Sequence, residues 1–185
     1  MTAISLPPQA LDVLNFWFEE LTPEQWWRDQ TLDKQITARF LDLYHRLRRK
    51  VPEEWRETPR GVLAAVLVLD QFPRNMFRGT AAAFATDAKA RLLAHEAIQH
   101  EFDAELNVDE RLFLYLPFEH SESPADQARA LGLISALGNA QYTEFARQHK
   151  KVIDRFGRFP QRNAALVRMS TLEEDAFLEA RETQW

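Results

Sequence analysis

The sequence predicts an all-α fold, and three observations support this prediction. The chain of 185 residues contains only 5 glycines. Apolar residues recur every three or four positions along its longer segments, which is the period of an amphipathic helix. Residues that commonly begin helices, such as Thr-Pro and Ser-Pro pairs, stand between these segments. The length fits one domain spanning residues 1–185.

The N-terminal part of the chain predicts three helices. The first covers about residues 8–20 and places Leu11, Leu14 and Phe18 on one stripe. A short second helix, carrying Trp26 and Trp27, is opened by the capping pattern Thr22-Pro23-Glu24-Gln25. The third covers about residues 31–50. The C-terminal end of this helix is basic, and cations commonly lie there because it is the negative end of the helix dipole.

The next helix is predicted to be the centre of the core. It begins at Thr58-Pro59, and its middle, residues 62–69, is apolar on every side. We expect it to end before Pro73, which lacks a backbone donor and disfavours the α conformation at Phe72. Asp70 would then lie at a helix C-terminus.

The remaining sequence predicts five more helices. They lie within residues 80–100, over about 109–118, from Ser123-Pro124 to about 138, over about 140–156, and after a capping box at residues 170–173. Gly138 and Gly157 follow two of these segments, where a left-handed residue commonly ends a helix.

Composition excludes several functional classes. The formal charge of −5, with no long basic run, argues against a nucleic-acid partner. The absence of cysteine excludes disulfides and cysteine-zinc sites and is compatible with the cytoplasm. No signal peptide and no apolar run of membrane length is recognised, so no membrane partner is expected. Phosphate-loop and dinucleotide motifs are missing, and His95 and His100 are spaced wrongly for a zinc protease. We therefore expect no cofactor and no metal.

Helix order predicts where a site lies. Short connections make successive helices antiparallel, so the first, third and fifth helices counted from Thr58 end on the same side. Their ends carry three chemically dense motifs, which we name the first motif (residues 70–78), the second motif (118–122) and the third motif (154–163).

The three motifs contain the candidate site residues. Of the 23 basic residues, 18 are arginines, and arginine is the planar partner of carboxylate and phosphate. The candidate ligand-binding residues are Asp70, Arg74, Asn75, Arg78, Glu122, Arg158, Arg162 and Asn163, together with His149 of the preceding helix. The candidate catalytic residues are His120 and Glu119, because a neighbouring carboxylate suits an acid–base histidine.

Three of these residues have alternative interpretations. Asp70 is a catalytic or ligand-binding carboxylate, one member of a buried ion pair that holds loops on the core, or a plainly exposed residue. His120 is either an acid–base group or a residue with a capping or packing role. His149 lies on the apolar stripe of its helix with Phe145 and Val152. It is therefore either a core histidine with a satisfied ring or the floor of a pocket.

The three motifs together resemble a known family. The resemblance is carried by three stretches: Leu-Asp-Gln-Phe-Pro-Arg-Asn-Met-Phe-Arg-Gly from Leu69, Leu-Pro-Phe-Glu-His-Ser-Glu from Leu116 and Phe-Gly-Arg-Phe-Pro-Gln-Arg-Asn from Phe156. They resemble domain-of-unknown-function family nine-two-four, which is largely bacterial. The resemblance extends from Val13 to Glu174. It implies antiparallel helical hairpins stacked in a tetratricopeptide-repeat-like superhelix, and it implies no reaction, substrate or partner.

Three functional hypotheses remain open. In the first, a pocket of the three motifs binds a small anionic molecule or an acidic peptide through its arginines, and Asn75 and Asn163 fix the orientation of the ligand. In the second, the same pocket belongs to a hydrolase in which His120 or Glu119 is the general base. In the third, the chain is a scaffold whose groove holds a partner helix. The sequence leaves the oligomeric state undetermined.

Overall fold

A computed structural model describes residues 5–26 and 30–180 of the chain. These residues form helices, turns and loops, and no strand occurs among them. The chain divides into two compact units, which are described separately. The first unit comprises Met1–Arg78 and Ala82–Pro117, and the second comprises Gly79–Ala81 and Phe118–Trp185. Trp27, predicted in a short helix, lies outside the described residues.

The α-helices are numbered in chain order. They are α1 (Pro8–Asn15), α2 (Gln30–Leu47), α3 (Pro59–Val66), α4 (Phe72–Met76), α5 (Asp87–Gln99), α6 (Val108–Glu119), α7 (Pro124–Ser135), α8 (Ala140–Phe156) and α9 (Leu172–Glu179). Two π-helical segments occupy Phe16–Glu20 and Leu67–Gln71. Short 3₁₀ turns occupy Pro23–Trp26, Glu53–Trp55, Ala81–Phe84, Phe102–Glu105 and Pro160–Arg162.

Most predicted helix starts are confirmed by their caps. The hydroxyl of Thr58 accepts a hydrogen bond from the Gly61 N–H at the start of α3, and Ser123 caps α7. The capping box before α9 was predicted one residue too early. Its cap is Thr171, whose reciprocal partner is Glu174, because Thr171 and not Ser170 immediately precedes the first helical residue.

The prediction that the central helix ends before Pro73 is wrong. The helical path continues from α3 through the π-helical segment into α4, so Asp70 lies within this path and not at its C-terminus. The π geometry pairs the Phe72 N–H with the carbonyl of Leu67, five residues earlier. Pro73 then falls in the first turn of α4, where a backbone donor is not required.

Aromatic side chains form the core of the first unit. Trp17, Phe40, Phe72 and Phe113 are fully buried, and the entire middle of α3 is buried with them. The Trp17 ring meets the Phe113 ring edge to face at 5.4 Å between centroids, an arrangement that favours aromatic pairs beyond simple burial. The all-apolar segment at residues 62–69 is therefore central, as its composition predicts.

The second unit is built around α8. Helix α7 packs against α8, and α9 packs against the turn at Pro160–Arg162. Val152 and Ile153 of α8 form a small core with Phe159 and Phe177. Helix α8 ends at Gly157, whose φ of 68° lies in the left-handed region that glycine adopts without strain.

None of the helices in the described ranges is both long enough and apolar enough to cross a membrane.

Candidate functional site

The first motif lies in the first unit, and its central carboxylate is buried. Asp70 has no exposed surface. The side-chain amide of Gln71 donates to Asp70 Oδ2 at 2.6 Å, and Arg74 Nη1 lies 3.5 Å from Asp70 Oδ1. The same Arg74 nitrogen donates to the backbone carbonyl of Asp70 at 2.5 Å. These contacts correspond to the buried ion-pair interpretation of Asp70.

The arginines of the first motif contact carboxylates of the protein. Arg74 binds Asp87 through two hydrogen bonds of 2.9 and 3.0 Å. Arg78 binds Asp33 through two hydrogen bonds of 2.8 Å, and Asn75 donates to the same carboxylate at 2.8 Å. Burial opposes ionisation of Asp33, but the hydrogen bonds from Arg78 and Asn75 hold its pKa below the ordinary value. An external anion at Arg74 or Arg78 would compete with these carboxylates.

The second and third motifs lie in the second unit, where Glu119 and His149 meet. The carboxylate oxygen Oε1 of Glu119, at the end of α6, lies 3.0 Å from Nδ1 of His149 on α8. Both side chains are buried. His149 Nδ1 also lies 2.9 Å from the carbonyl oxygen of Phe145. A carbonyl oxygen only accepts hydrogen bonds, so Nδ1 of His149 carries a proton. The other ring nitrogen, Nε2, is then the atom that accepts or releases a proton when the ring titrates.

The turn that carries His120 is held by side chains from two other segments. The side-chain amide of Gln127, which is fully buried on α7, donates to the carbonyls of Glu119 at 2.5 Å and Ser121 at 2.7 Å. Arg162 Nη2 donates to the carbonyl of His120 at 2.8 Å. Three successive carbonyls are thus bound by side chains, which gives the turn a defined backbone conformation.

Ring contacts join His120 to His149, and they join His149 and Arg162 to Phe159. The centroids of the two imidazole rings are 6.2 Å apart. The His149 ring meets the Phe159 ring edge to face at 5.7 Å, and the Arg162 guanidinium lies 4.6 Å from the Phe159 centroid. His120 of the second motif, His149 of α8 and Arg162 of the third motif therefore form a local cluster.

Glu122 connects the second motif to the loop before α9. Its carboxylate accepts two hydrogen bonds from Arg168, at 2.7 and 2.9 Å, and one from the Phe159 N–H at 2.8 Å. Burial opposes ionisation, but these hydrogen bonds and the charge of Arg168 lower the pKa of Glu122. Arg168 also donates to the Asn163 side-chain oxygen at 3.0 Å. Glu122 therefore positions two segments of the second unit.

Arg158 and Asn163 bind Glu174 of α9. Arg158 donates to both carboxylate oxygens of Glu174, at 2.6 and 2.7 Å, and to the carbonyl of Met169 at 2.8 Å. Asn163 donates to Glu174 at 3.3 Å, and the Thr171 N–H donates at 2.8 Å. The hydrogen bonds from Arg158, with those from Thr171 and Asn163, lower the pKa of Glu174 to about 2 although burial opposes ionisation.

The structure thus divides the predicted site residues between the units. Asp70, Arg74, Asn75 and Arg78 belong to the first unit, and the members of the second and third motifs belong to the second unit with His149. The Glu119 carboxylate, predicted to act on His120, contacts His149. Within the described part of the chain, no group of three or more acidic or histidine side chains is arranged to hold a metal ion.

Two residues that organise the second unit were not predicted. Gln127 lies on the buried stripe of α7 with Ala130 and Ile134, and a polar residue on an apolar stripe is the signal that could have identified it. Arg168 has no comparable signal, because its partners Glu122, Asn163 and Phe159 come from separate segments of the sequence.

Comparison with known proteins gives one family and one solved structure. The model of the family described as "bacterial protein of unknown function (DUF924)" matches residues 13–182. The solved structure of a protein of unknown function, ATU0120, from Agrobacterium tumefaciens is similar, with a TM-score of 0.87 and 42% sequence identity. The match covers 93% of this chain and 97% of that one. No curated protein matches the chain.

Proposed function

The chain belongs to the DUF924 family of bacterial proteins of unknown function, and we propose that its second unit binds a small anionic molecule at His149, His120 and Arg162. The observation that carries this proposal is the buried contact of 3.0 Å between Glu119 Oε1 and His149 Nδ1. A carboxylate at Nδ1 stabilises the protonated ring, and a protonated ring donates a hydrogen bond from Nε2. The anion is the acceptor of that hydrogen bond.

The surroundings of this contact support an anionic ligand. The ring centroid of His120 lies 6.2 Å from that of His149, and Arg162 is tied to the same turn through the carbonyl of His120. Two imidazoles and one guanidinium of the second unit are therefore near one another. Hydrogen bonds between such cations and phosphate or carboxylate oxygens are charge-assisted. We limit the proposal to the second unit because Arg74 and Arg78 bind Asp87 and Asp33.

Calorimetric titration tests the proposal with inorganic phosphate and with succinate as probes. We expect binding to be tighter at about pH 6 than at about pH 8, because protonated imidazoles are the donors. The double variant His120→Gln/Arg162→Gln should weaken binding at least tenfold, the equivalent of about 1.4 kcal/mol. Arg78→Gln in the first unit is the matched control and should bind like the wild type. Absence of binding for every probe, or equal binding by the double variant, would contradict the proposal.

A second function, general-base hydrolysis, is favoured by the orientation of the His149 ring. Because Nδ1 is directed at Glu119 and Phe145, the neutral ring accepts a proton at Nε2. His149, and not His120, would then be the base, and Glu119 would orient it. Turnover of p-nitrophenyl acetate and p-nitrophenyl phosphate tests this function. We expect His149→Ala to lower kcat about 10²-fold or more, whereas no turnover by the wild type would contradict it.

Two further sequence predictions are retained as proposals. Packing of α7 on α8 supports the hairpin that a tetratricopeptide-repeat-like stack requires, and small-angle scattering can test for a superhelical envelope. The lack of cysteine supports a cytoplasmic location, which cell fractionation can test.

A further inference from the structure

Helix α7 buries one polar side chain on an otherwise apolar stripe. Gln127 has no exposed surface, and the other buried residues of α7 are Ala130 and Ile134. An amide loses its hydrogen bonds with water when it is buried, which costs free energy unless the protein replaces them. An apolar residue of the same size would avoid this cost, so the contacts of the amide carry the reason for its presence on the stripe.

The amide nitrogen of Gln127 binds two carbonyls at the end of α6. Nε2 donates to the carbonyl oxygens of Glu119 at 2.5 Å and Ser121 at 2.7 Å. A carbonyl oxygen only accepts, so these two contacts fix which end of the amide carries the hydrogens. The last carbonyls of a helix have no N–H partner within the helix, and Glu119 and Ser121 are buried. Gln127 therefore supplies the donors that water supplies at an exposed helix end.

The end of α6 lacks the left-handed residue that commonly closes a helix. Gly157 has this role after α8, but the residues that follow Glu119 are His120 and Ser121, and neither has a positive φ. One backbone hydrogen bond, from the Ser121 N–H to the carbonyl of Phe118, has a length of 3.2 Å. The conformation of this helix end therefore depends strongly on side-chain donors.

The position of Gln127 on its helix brings it to the level of His149. Gln127 lies about two turns before the last residue of α7, and His149 lies about two and a half turns after the first residue of α8. The two helices pack against each other, and helices joined by a short connection are antiparallel. The one buried polar residue of α7 therefore lies opposite the buried histidine of α8.

The oxygen of the same amide indicates that Gln127 does more than stabilise the chain. Gln127 Oε1 is a buried acceptor, and no residue in the described part of the chain donates to it. A buried acceptor without a donor is unfavourable. Violations of this kind are expected at functional sites, where a residue is required for its position.

We propose that Gln127 is a positioning residue, which holds the backbone of residues 119–121 so that the Glu119 carboxylate stays against Nδ1 of His149. Its importance for ligand binding rests on the proposed function. The carboxylate that lies 3.0 Å from His149 and the carbonyl that accepts from Gln127 belong to the same residue. A displacement of that carbonyl therefore displaces the Cα atom from which the carboxylate projects. His120 lies between the two carbonyls that Gln127 holds.

The charged and titratable groups around the His149 ring allow this role to be measured. They are Glu119 of α6, His120 of the following turn and Arg162 of the third motif, which donates to the His120 carbonyl. Gln127 is uncharged at every pH, so its replacement by methionine changes no charge beside the ring. Displacement of the Glu119 carboxylate lowers the titration midpoint of His149, whereas displacement of the cations raises it.

NMR titration of the full chain, with ¹⁵N in its histidine rings, tests the proposal without a ligand. The signals that are missing from His149→Gln identify His149. In Gln127→Met we expect the titration midpoint of His149 to fall by at least about 0.5 pH unit. Ile134→Met, which replaces another fully buried residue of the same stripe, is the matched control and should keep the wild-type midpoint. Calorimetry at about pH 6 should show that Gln127→Met binds inorganic phosphate at least threefold more weakly than the wild type.

A His149 titration curve in Gln127→Met that matches the wild type, or that moves to higher pH, would overturn the proposal. Gln127→Asn, whose shorter and uncharged amide does not span both carbonyls, takes the place of Gln127→Met if thermal melting shows that the latter is unfolded, and the same fall is expected. A lowered midpoint without phosphate binding by the wild type would contradict the proposed function and still support the positioning role.

Discussion

The hydroxyl of Thr86 donates a hydrogen bond of 2.6 Å to the carbonyl oxygen of Leu69, a residue 17 positions earlier in the chain. In an α-helix that carbonyl would accept from the N–H of residue 73, but Pro73 has none. Thr86 is itself buried just before α5. Its side chain thus donates to a buried carbonyl of the π-helical segment and joins this segment to α5.

Thr86→Val is expected to destabilise the protein by removing this donor while keeping the volume of the side chain. A buried acceptor without a partner costs about 1–3 kcal/mol. We expect a loss of this size in the free energy of unfolding, measured by urea denaturation. Thr37→Val is the control, because the Thr37 hydroxyl donates to the carbonyl of Asp33 four residues earlier, within α2. It should have a much smaller effect.

The double variant Pro73→Ala/Thr86→Val tests the cause of this effect. Alanine at position 73 supplies an N–H that an α-helical register would direct at the Leu69 carbonyl, so Thr86→Val should cost less in this background than in the wild type. An equal cost in both backgrounds would show that Thr86 does not compensate for Pro73.

Local signals predicted the helix starts well because caps act over three or four residues. Thr58 and Ser123 cap α3 and α7 as expected. The continuation past Pro73 could not be predicted in the same way, because the donor that satisfies Leu69 comes from Thr86, in a different segment. A rule that considers only the neighbours of a proline therefore places the helix end too early.

The residues of the candidate site stay a prediction from the sequence, and their pairing could not be predicted in the same way. Sequence motifs identified Glu119, His120 and Arg162, and helical periodicity placed His149 on a buried face. Periodicity gives the face of a helix but not the residue opposite it. The contact of Glu119 with His149 joins residues 30 positions apart, whereas sequence adjacency suggested only His120 as a partner of Glu119.

Val167→Gly is expected to stabilise the protein, because the φ of Val167 is 54° and lies in the left-handed region. A residue other than glycine in the left-handed region costs about 1–2 kcal/mol, and the exposed Val167 side chain offers little burial in return. After allowing for the greater unfolded-state entropy of glycine, we expect a gain of about 1 kcal/mol and a rise in Tm of roughly 2–4 °C. Differential scanning calorimetry measures this effect.

Gly157→Val is the reciprocal control for this prediction. Gly157 also has a positive φ, at the end of α8, and no atom of a neighbouring segment lies within 4 Å of the position that a Cβ would occupy. Its substitution therefore introduces backbone strain without a clash and should lower the Tm. A Tm that falls in Val167→Gly, or rises in Gly157→Val, would contradict the assignment of strain to the left-handed conformation.

Acidification is expected to remove the stabilisation that Glu174 provides. Hydrogen bonds, first from Arg158, lower its pKa in the folded chain to about 2, from an ordinary value of 4.5. Above about pH 4.5 the carboxylate is ionised in both states, so its contribution is fully present. As the pH falls toward about 2, the unfolded chain binds a proton first and the contribution is lost. Thermal melts should therefore show a Tm that falls over this range.

Glu174→Gln tests this assignment, because it removes the titrating group and retains most of the volume. The Tm of this variant should depend less on pH between about 4.5 and 2 than that of the wild type. Glu173→Gln, at a neighbouring position whose side chain is 63% exposed, should keep the wild-type dependence. Identical pH profiles for Glu174→Gln and the wild type would show that another group carries the acid sensitivity.

Glu119 and His149 are expected to contribute to stability as a pair. Both are buried, and breaking a buried pair by removing one partner costs about 3–5 kcal/mol. Glu119→Ala and His149→Ala should each be strongly destabilising, whereas the double variant should lose less than the sum, with a coupling energy above about 1 kcal/mol.

The control cycle uses Lys150 and Asp154 of α8, which form an i,i+4 pair on the surface and should couple by less than about 0.5 kcal/mol. Denaturant unfolding of the wild type and the six variants gives both energies. Equal coupling in the two cycles would remove the energetic basis for treating Glu119 and His149 as one functional pair.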